Sequence, residues 1–149
     1  MKKFFTIAVV AVMLFALAGC RGAPLPIDFD AVVEAARDAG FAYNVNEAGN
    51  FVRVEINEHA FVEFTEAESM QAARAMFDAQ EADYNGRFSS FTMSRKVNMP
   101  LHGSWRFRSG GGYYVIYWVG HGFLRAEGRD NATDRNAIDG FLDTIIRRA

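Results

Sequence analysis

The sequence has one cysteine, Cys20, among 149 residues. A lone cysteine cannot form a disulfide within the chain, and thiolate zinc sites need several clustered ligands. The chain is therefore not a disulfide-stapled domain, and its fold must rest on its hydrophobic core. A separate role predicted for Cys20 below leaves no thiol for redox chemistry.

The motifs of common enzyme classes are also missing. No Gly-x-Ser-x-Gly segment offers a nucleophile elbow. The run Gly110–Gly112 is followed by neither Gly-Lys-Ser/Thr nor a predicted helix, so it indicates a hairpin turn and not a phosphate cradle. The carboxylates are scattered, and helix capping and solvated faces account for them. We expect no catalytic residues, no cofactor and no enzymatic activity.

The three histidines, His59, His102 and His121, fall in separate predicted turns or loops. None has a second ligand at the i+2, i+3 or i+4 spacing with which strands and helices bind zinc. We predict that they are solvent-exposed turn residues and expect no metal site.

Basic residues do not outnumber acidic residues. The chain has 16 Lys and Arg against 18 Asp and Glu, and removal of residues 1–19 takes away Lys2 and Lys3, which leaves a net charge of −4. This balance argues against a nucleic-acid partner. Aromatic residues make up 14% of the chain, which indicates an ordered domain and not a tail.

The first nineteen residues have the order of an export signal. Two lysines precede an apolar stretch from Phe4 to Leu17, and the small residues Ala18 and Gly19 precede Cys20. The stretch is shorter than the roughly 20 apolar residues of a membrane-spanning helix. We predict a signal peptide over residues 1–19, cleaved between Gly19 and Cys20.

The segment Leu17-Ala18-Gly19-Cys20 resembles the lipobox of bacterial lipoproteins, in which the cysteine sulfur takes a diacylglycerol. The alternative is an ordinary secretory peptide with an incidental cysteine, although motif and context agree. At about 0.8 kcal/mol per buried CH₂, two or more acyl chains hold a protein firmly. We expect an extracytoplasmic protein anchored to membrane lipid at Cys20, with residues 20–27 as lipidated cysteine and tether.

Residues 28–149 are predicted to form a single α+β domain. Hydrophobic alternation and turn residues predict strands over 41–46, 51–56, 60–64, 91–97, 104–108, 113–119 and 123–127. Three helices are predicted, with N-terminal residues Asp28 or Asp30, Thr65 with Glu68, and Asn131 or Thr133. The expected fold is an antiparallel sheet of six to seven strands with the three helices packed mainly on one face.

A weak internal sequence repeat supports this arrangement. The segments Glu58–Val62 and Gly120–Leu124 lie 62 residues apart, and each enters a predicted strand that precedes a helix. This order suggests two ββα units whose strands join one sheet.

Several segments resemble a group of small, uncharacterised bacterial lipoproteins. They are Ala75-Met76-Phe77, Val97-Asn98, Ser109–Tyr117, Gly120–Ala126 and the closing amphipathic helix. Those relatives commonly carry Arg and Asn-Thr around the last hairpin, where this chain has Trp118 and His121-Gly122. The resemblance implies a signal peptide, a lipobox and a single α+β domain, and it implies no activity.

The strand Tyr113–Val119 is apolar or aromatic on both faces. If helices cover one face only, the other presents aromatic side chains among arginines, which is typical of recognition surfaces. The predicted binding face comprises Arg106, Arg108, Tyr114, Trp118 and Arg125. The alternative is a central strand covered on both sides, with its arginines paired to Glu55 or Glu63 across strands.

The loop Asn98–His102 is a second candidate contact site, because its Met and Leu must fold inward or meet a partner. Three functional hypotheses remain open. The first is a non-enzymatic binding or interaction module that recognises an envelope protein, peptide or other envelope component. The others are a small envelope enzyme and a structural accessory lipoprotein.

Overall fold

The computed structural model describes residues 26–148. The predicted signal peptide, Cys20 and most of the tether lie outside the described residues. The described part contains three helices and seven strands. In chain order they are α1 (Phe29–Ala39), β1 (Ala42–Val45), β2 (Phe51–Asn57), β3 (Ala60–Glu66), α2 (Met70–Arg87), β4 (Thr92–Asn98), β5 (His102–Ser109), β6 (Gly112–Val119), β7 (Gly122–Arg129) and α3 (Ala132–Arg148).

The strands form one antiparallel sheet in the order β1-β2-β3-β7-β6-β5-β4. Two meanders meet at the central pair β3 and β7, and α2 carries the chain from β3 to the far edge strand β4. The predicted α+β class with an antiparallel sheet of seven strands and three helices is confirmed. The two repeated segments, Glu58–Val62 and Gly120–Leu124, enter these central strands, where Thr65 pairs with Phe123.

Two helices, α1 and α3, pack on one face of the sheet. Alternation in β2 turns Val52, Val54 and Ile56 towards them, as the sequence pattern predicts, while Arg53 and Glu55 point to the other face. Residues from β3, β6 and β7 complete this core cluster. The closing helix contributes Ile138, Phe141, Leu142 and Ile145.

The third helix, α2, covers the opposite face over β5, β6 and β7. It buries Phe77 and Tyr84 against Trp105, Phe107 and a further group of apolar residues. The ring of Tyr84 lies 5.2 Å from that of Phe107 at 74°, an edge-to-face geometry that favours aromatic packing. Both faces of the sheet centre are therefore covered.

Local signals decide most helix ends. Asp28 caps α1 by accepting a hydrogen bond from the Ala31 N–H at 2.7 Å, and Gly40 ends it in the left-handed conformation with φ of 71°. For α2, the predicted capping box is wrong, because Thr65 lies within β3. Ser69 is the N-cap instead, and its hydroxyl accepts from the Ala72 N–H at 3.1 Å.

The strands of the second half run further than predicted. The segment Asn98–His102 is a tight connection, because β4 extends to Asn98 and β5 begins at His102. The Met99 N–H donates to the His102 carbonyl at 2.9 Å and closes this hairpin. Residues 99–101 form its tip, which we call the hairpin tip.

Candidate functional site

The predicted binding-face residues lie on both faces of the sheet and do not form one surface. Arg106 and Arg108 pair with Val115 and Tyr113, whose side chains point to the face of α1 and α3. The other three, Tyr114, Trp118 and Arg125, point to the face of α2. Period-two alternation separates the faces but does not show which face the intervening helix covers.

Trp118 is core and not recognition surface. Its side chain is fully buried beneath α2, and its Nε1 has no hydrogen-bond partner among the described residues. Tyr114 stacks on Phe107 with ring centroids 5.1 Å apart. Trp118 is therefore not available to a partner, whereas Tyr114 is half-buried and packs against the edge of the core beneath α2.

Arg125 belongs to an ion-pair network on the α2 side. Its guanidinium donates to Glu63, its cross-strand partner, at 2.6 Å, and Arg53 donates to the other oxygen of Glu63 at 2.9 Å. Both arginines lie over the Phe61 ring, at 3.8 Å for Arg53 and 5.7 Å for Arg125. This is the cross-strand pairing that the alternative interpretation describes, and it neutralises Arg125 internally.

On the α1 and α3 face, the helices pack over β1, β2, β3 and β7 and leave much of β4 and β5 uncovered. A cavity of about 280 Å³ lies at this boundary. We call it the arginine cavity. Its apolar wall comes from three strands, α3 and the segment before α1: Ile27, Val97, Val115, Leu124, Leu142 and Ile146.

Two arginines line the uncovered side of this cavity. Arg95 and Arg106 are direct cross-strand partners in the β4–β5 register, and both are exposed. Arg106 has Asp139 at 3.4 Å, whereas Arg95 has no carboxylate oxygen within 4.0 Å among residues 26–148. Like charges directly opposite each other destabilise a sheet. The pair is therefore an incompletely neutralised positive centre beside an apolar wall.

Tyrosine hydroxyls add neutral polar groups around the cavity. Tyr117 lines the cavity, and burial raises the pKa of its phenol. Beside the cavity, Tyr113 donates to Asp139 at 2.7 Å, and burial followed by this bond raises the Tyr113 pKa. Both side chains stay protonated at physiological pH and can act as hydrogen-bond donors without carrying charge.

A second depression lies at the opposite end of the sheet. It is shallow and open, and Gly110, Gly111 and Gly112 border it together with His59 and Glu127. Gly110 and Gly111 form the β5–β6 hairpin turn, with φ values of 56° and 78°. Between residues 26 and 148, no three His, Cys, Asp or Glu side chains are grouped so that they could hold a metal ion.

The histidines lie apart. His59 is in the β2–β3 turn, while His102 begins β5 and His121 is in the β6–β7 turn at the other end of the sheet. Because His102 pairs with Val119, these last two are near neighbours across the strand ends. None of the described helices is long and apolar enough to cross a membrane.

The arginine cavity could be found only in part from the sequence. Arg95 and Val97 alternate with Ser94 and Lys96, which indicates that they share a face. The register that brings Arg95 opposite Arg106, and the distance over which α3 covers the sheet, depend on tertiary packing. No local pattern marks Ile27 or Ile146 as cavity residues.

Comparison with known proteins identifies a structure of similar fold but assigns the chain to no family. No model of a known protein family matches the chain, and no curated protein matches it by sequence. The chain is similar in structure to a Thermotoga maritima protein described as a GTP binding regulator, with a TM-score of 0.52 and 15% sequence identity. The match covers 80% of this chain and 85% of that one. At this identity the likeness shows the fold alone.

Proposed function

We propose that the protein is an extracytoplasmic lipoprotein, anchored to the membrane through Cys20, whose domain is a non-enzymatic binding module. The lipobox-like segment before Cys20 supports the anchor. The position of the domain supports it as well, because its buried core begins at Ile27, seven residues after the cysteine. The module would therefore work close to the bilayer.

The arginine cavity is the binding site in this proposal, and its ligand is an apolar molecule with one anionic group. The observation that carries this proposal is the Arg95–Arg106 pair beside an apolar wall. An anionic head group would relieve the repulsion between two facing cations, and an apolar tail would displace water from the wall. Tyr117 can donate a further hydrogen bond to the ligand.

The structural neighbour's description suggests GTP as another ligand, but the site does not favour it. The glycine run that borders the second depression lies in a hairpin turn and does not lead into a helix. Nucleotide phosphates usually bind where a glycine-rich loop opens a helix and its N–H groups converge. GTP is therefore the comparison ligand in the binding experiment.

The anchor is tested in growing bacteria with a clickable fatty acid. We expect the wild-type chain to take up the label and sediment with membranes, and the Cys20→Ala chain to take up none. A label that persists in Cys20→Ala would exclude this anchor. An unlabelled wild-type protein in the soluble fraction would indicate an ordinary secreted domain.

The ligand class is tested with cis-parinaric acid, a fluorescent fatty acid, and with its uncharged methyl ester. We expect the acid to bind more tightly than the ester, and Arg95→Ala with Arg106→Ala to remove the difference. Arg74→Ala is the matched control, because Arg74 lies on α2 across the sheet from the cavity. Equal binding of the acid and the ester would contradict the proposed ligand. So would displacement of the probe by GTP but not by an unlabelled fatty acid.

A further inference from the structure

We infer that the hairpin tip, residues 99–101, docks into the surface of the bilayer that holds the anchor. The inference rests on the proposed lipid anchor and adds an orientation to it: the sheet stands end-on, with the β4–β5 connection pointing down. The partner surface is the interfacial layer of a phospholipid bilayer.

The first observation is the apolar character of the tip. Met99 and Leu101 are 50% and 51% exposed on either side of Pro100. The backbone hydrogen bond from the Met99 N–H to the His102 carbonyl holds the connection as a tight turn, and half of each side chain faces solvent. Such side chains gain free energy by entering a bilayer interface.

The second observation is that the other hairpin connections of residues 26–148 are polar or glycine-rich, without exposed apolar side chains of this size. The β1–β2 and β2–β3 connections carry Asn46, Glu47 and Glu58, and the β5–β6 and β6–β7 turns are built on glycine. The run from Val97 to Gly103 contains no acidic residue, lysine or arginine. Among the hairpin connections of residues 26–148, this one alone joins the absence of a charged side chain, which would oppose contact with lipid, to two large exposed apolar side chains.

The third observation places the chain start at the same end of the sheet. His102, which follows the tip, pairs with Val119, which precedes the β6–β7 turn. Pro26 packs on that turn, with its Cβ 3.0 Å from the position a Cβ would take at Gly120. The tip and the first described residue are thus separated by about two strand spacings, roughly 10 Å.

Covalent geometry then limits the distance to the lipid. Six residue steps join Cys20 to Pro26, and at about 3.3 Å per residue they span at most about 20 Å. The acylated residue must therefore stay within that radius of the β6–β7 turn. The hairpin tip lies inside the same radius, so docking needs no stretching of the tether.

The orientation also bears on the arginine cavity. Val97 lies just before the tip and Ser104 shortly after it, and both line the cavity. A domain that docks by its tip holds this cavity next to the lipid head groups. An anionic amphiphile could then pass between bilayer and cavity without crossing bulk water.

The test uses the single cysteine to impose the anchor chemically. The chain from residue 20 onward is coupled at Cys20 to a maleimide phospholipid in phosphatidylglycerol–phosphatidylethanolamine vesicles, and a second sample is capped with N-ethylmaleimide. This chain contains the whole described core, which runs from Ile27 to Ile145. Amide hydrogen exchange is compared between the two samples.

We expect exchange in residues 98–103 to slow at least tenfold on coupling, while residues 109–112 at the other end stay unchanged. The double variant Met99→Asp with Leu101→Asp should lose this protection. Met93→Asp is the matched control, because Met93 is 71% exposed at the opposite end of β4 and its φ of 51° suits Asp. Circular dichroism confirms that each variant is folded.

Equal exchange of residues 98–103 in coupled and capped protein would overturn the docking. So would equal loss of protection in the Met93 variant, since it would show a non-specific effect of charge. Because the anchor is supplied chemically, either failure is distinct from a failure of Cys20 lipidation in cells.

Discussion

The indole of Trp118 occupies the space above Gly103, its cross-strand partner: a Cβ at residue 103 would collide with Nε1 and lie 3.0 Å from Cδ1. The ring is fully buried beneath α2 and cannot move aside. Gly103→Ala should therefore destabilise the domain by about 1–3 kcal/mol, as overpacking does. Urea unfolding measures the loss.

A glycine in open space provides the control for this experiment. Gly86 lies in α2, and no atom would approach within 4 Å of an added Cβ. Gly86→Ala should raise the free energy of unfolding by about 0.5–1 kcal/mol, because alanine restricts the unfolded chain. A Gly103→Ala protein as stable as the wild type would show that the indole does not fill this space.

Tyr84 forms a buried polar contact in the aromatic cluster beneath α2. Its hydroxyl donates to Glu127 Oε1 at 2.8 Å, and burial followed by the Glu127 charge raises its pKa. Tyr84→Phe should lower the free energy of unfolding by about 1.5–3 kcal/mol, the range for hydrogen bonds to charged groups. Glu127→Gln keeps an acceptor and should cost less. The reverse order would mean that the charge matters more than the bond.

Asp134 at the start of α3 should make stability depend on acid pH. Its carboxylate accepts hydrogen bonds from Asn57, the Arg129 N–H and Asn131, at 3.0, 3.0 and 3.2 Å. Burial acts to raise its pKa, but these bonds outweigh burial and hold the pKa below 3.8. The stabilisation is complete above the unfolded-state pKa and is lost as pH falls through the lower folded-state pKa.

Asp134→Asn should therefore flatten the loss of stability between about pH 5 and about pH 2. Thermal unfolding across that range is the measurement. Asp143→Asn, an exposed change on the same helix, should leave the profile unchanged. If both variants follow the wild-type profile, other carboxylates control the acid transition.

We expect Arg95 to lower the stability of the domain while it strengthens ligand binding. Arg95→Gln removes one of two facing cations, so we expect the free energy of unfolding to rise by a few tenths of a kcal/mol at low salt. The gain should vanish in high salt, which screens exposed charges. Binding of cis-parinaric acid should weaken in the same variant. A loss of stability at low salt would show that Arg95 has a stabilising partner.

The sequence alone predicts those parts of the fold that depend on neighbouring residues. The alternation Val52, Val54, Ile56 and the caps Asp28 and Gly40 act over a few residues, and the structure confirms them. The predicted start of α2 at Thr65 is wrong, because Thr65 continues β3 and Ser69 offers an equally good N-cap four residues later.

The candidate site is harder to predict because it depends on where α2 and α3 lie. Tyr114 and Trp118 resemble an exposed aromatic face in the sequence, and only the passage of α2 across β5–β7 shows that Trp118 is core and that Tyr114 packs against it. Arg95 and Arg106 become a pair through strand register, which no local pattern specifies. Such long-range choices are made by packing of the whole domain.

The edges of the sheet have a consequence for self-association. Edge strand β1 has four residues, and edge strand β4 contains a register shift between Thr92 and Arg95 with Met93 in the left-handed region. Short, interrupted and charged edges are poor templates for another strand. The proposed anchor would concentrate the protein in two dimensions, where exposed strand edges would meet often. Edges of this kind let neighbouring molecules crowd together without joining into a continuous sheet.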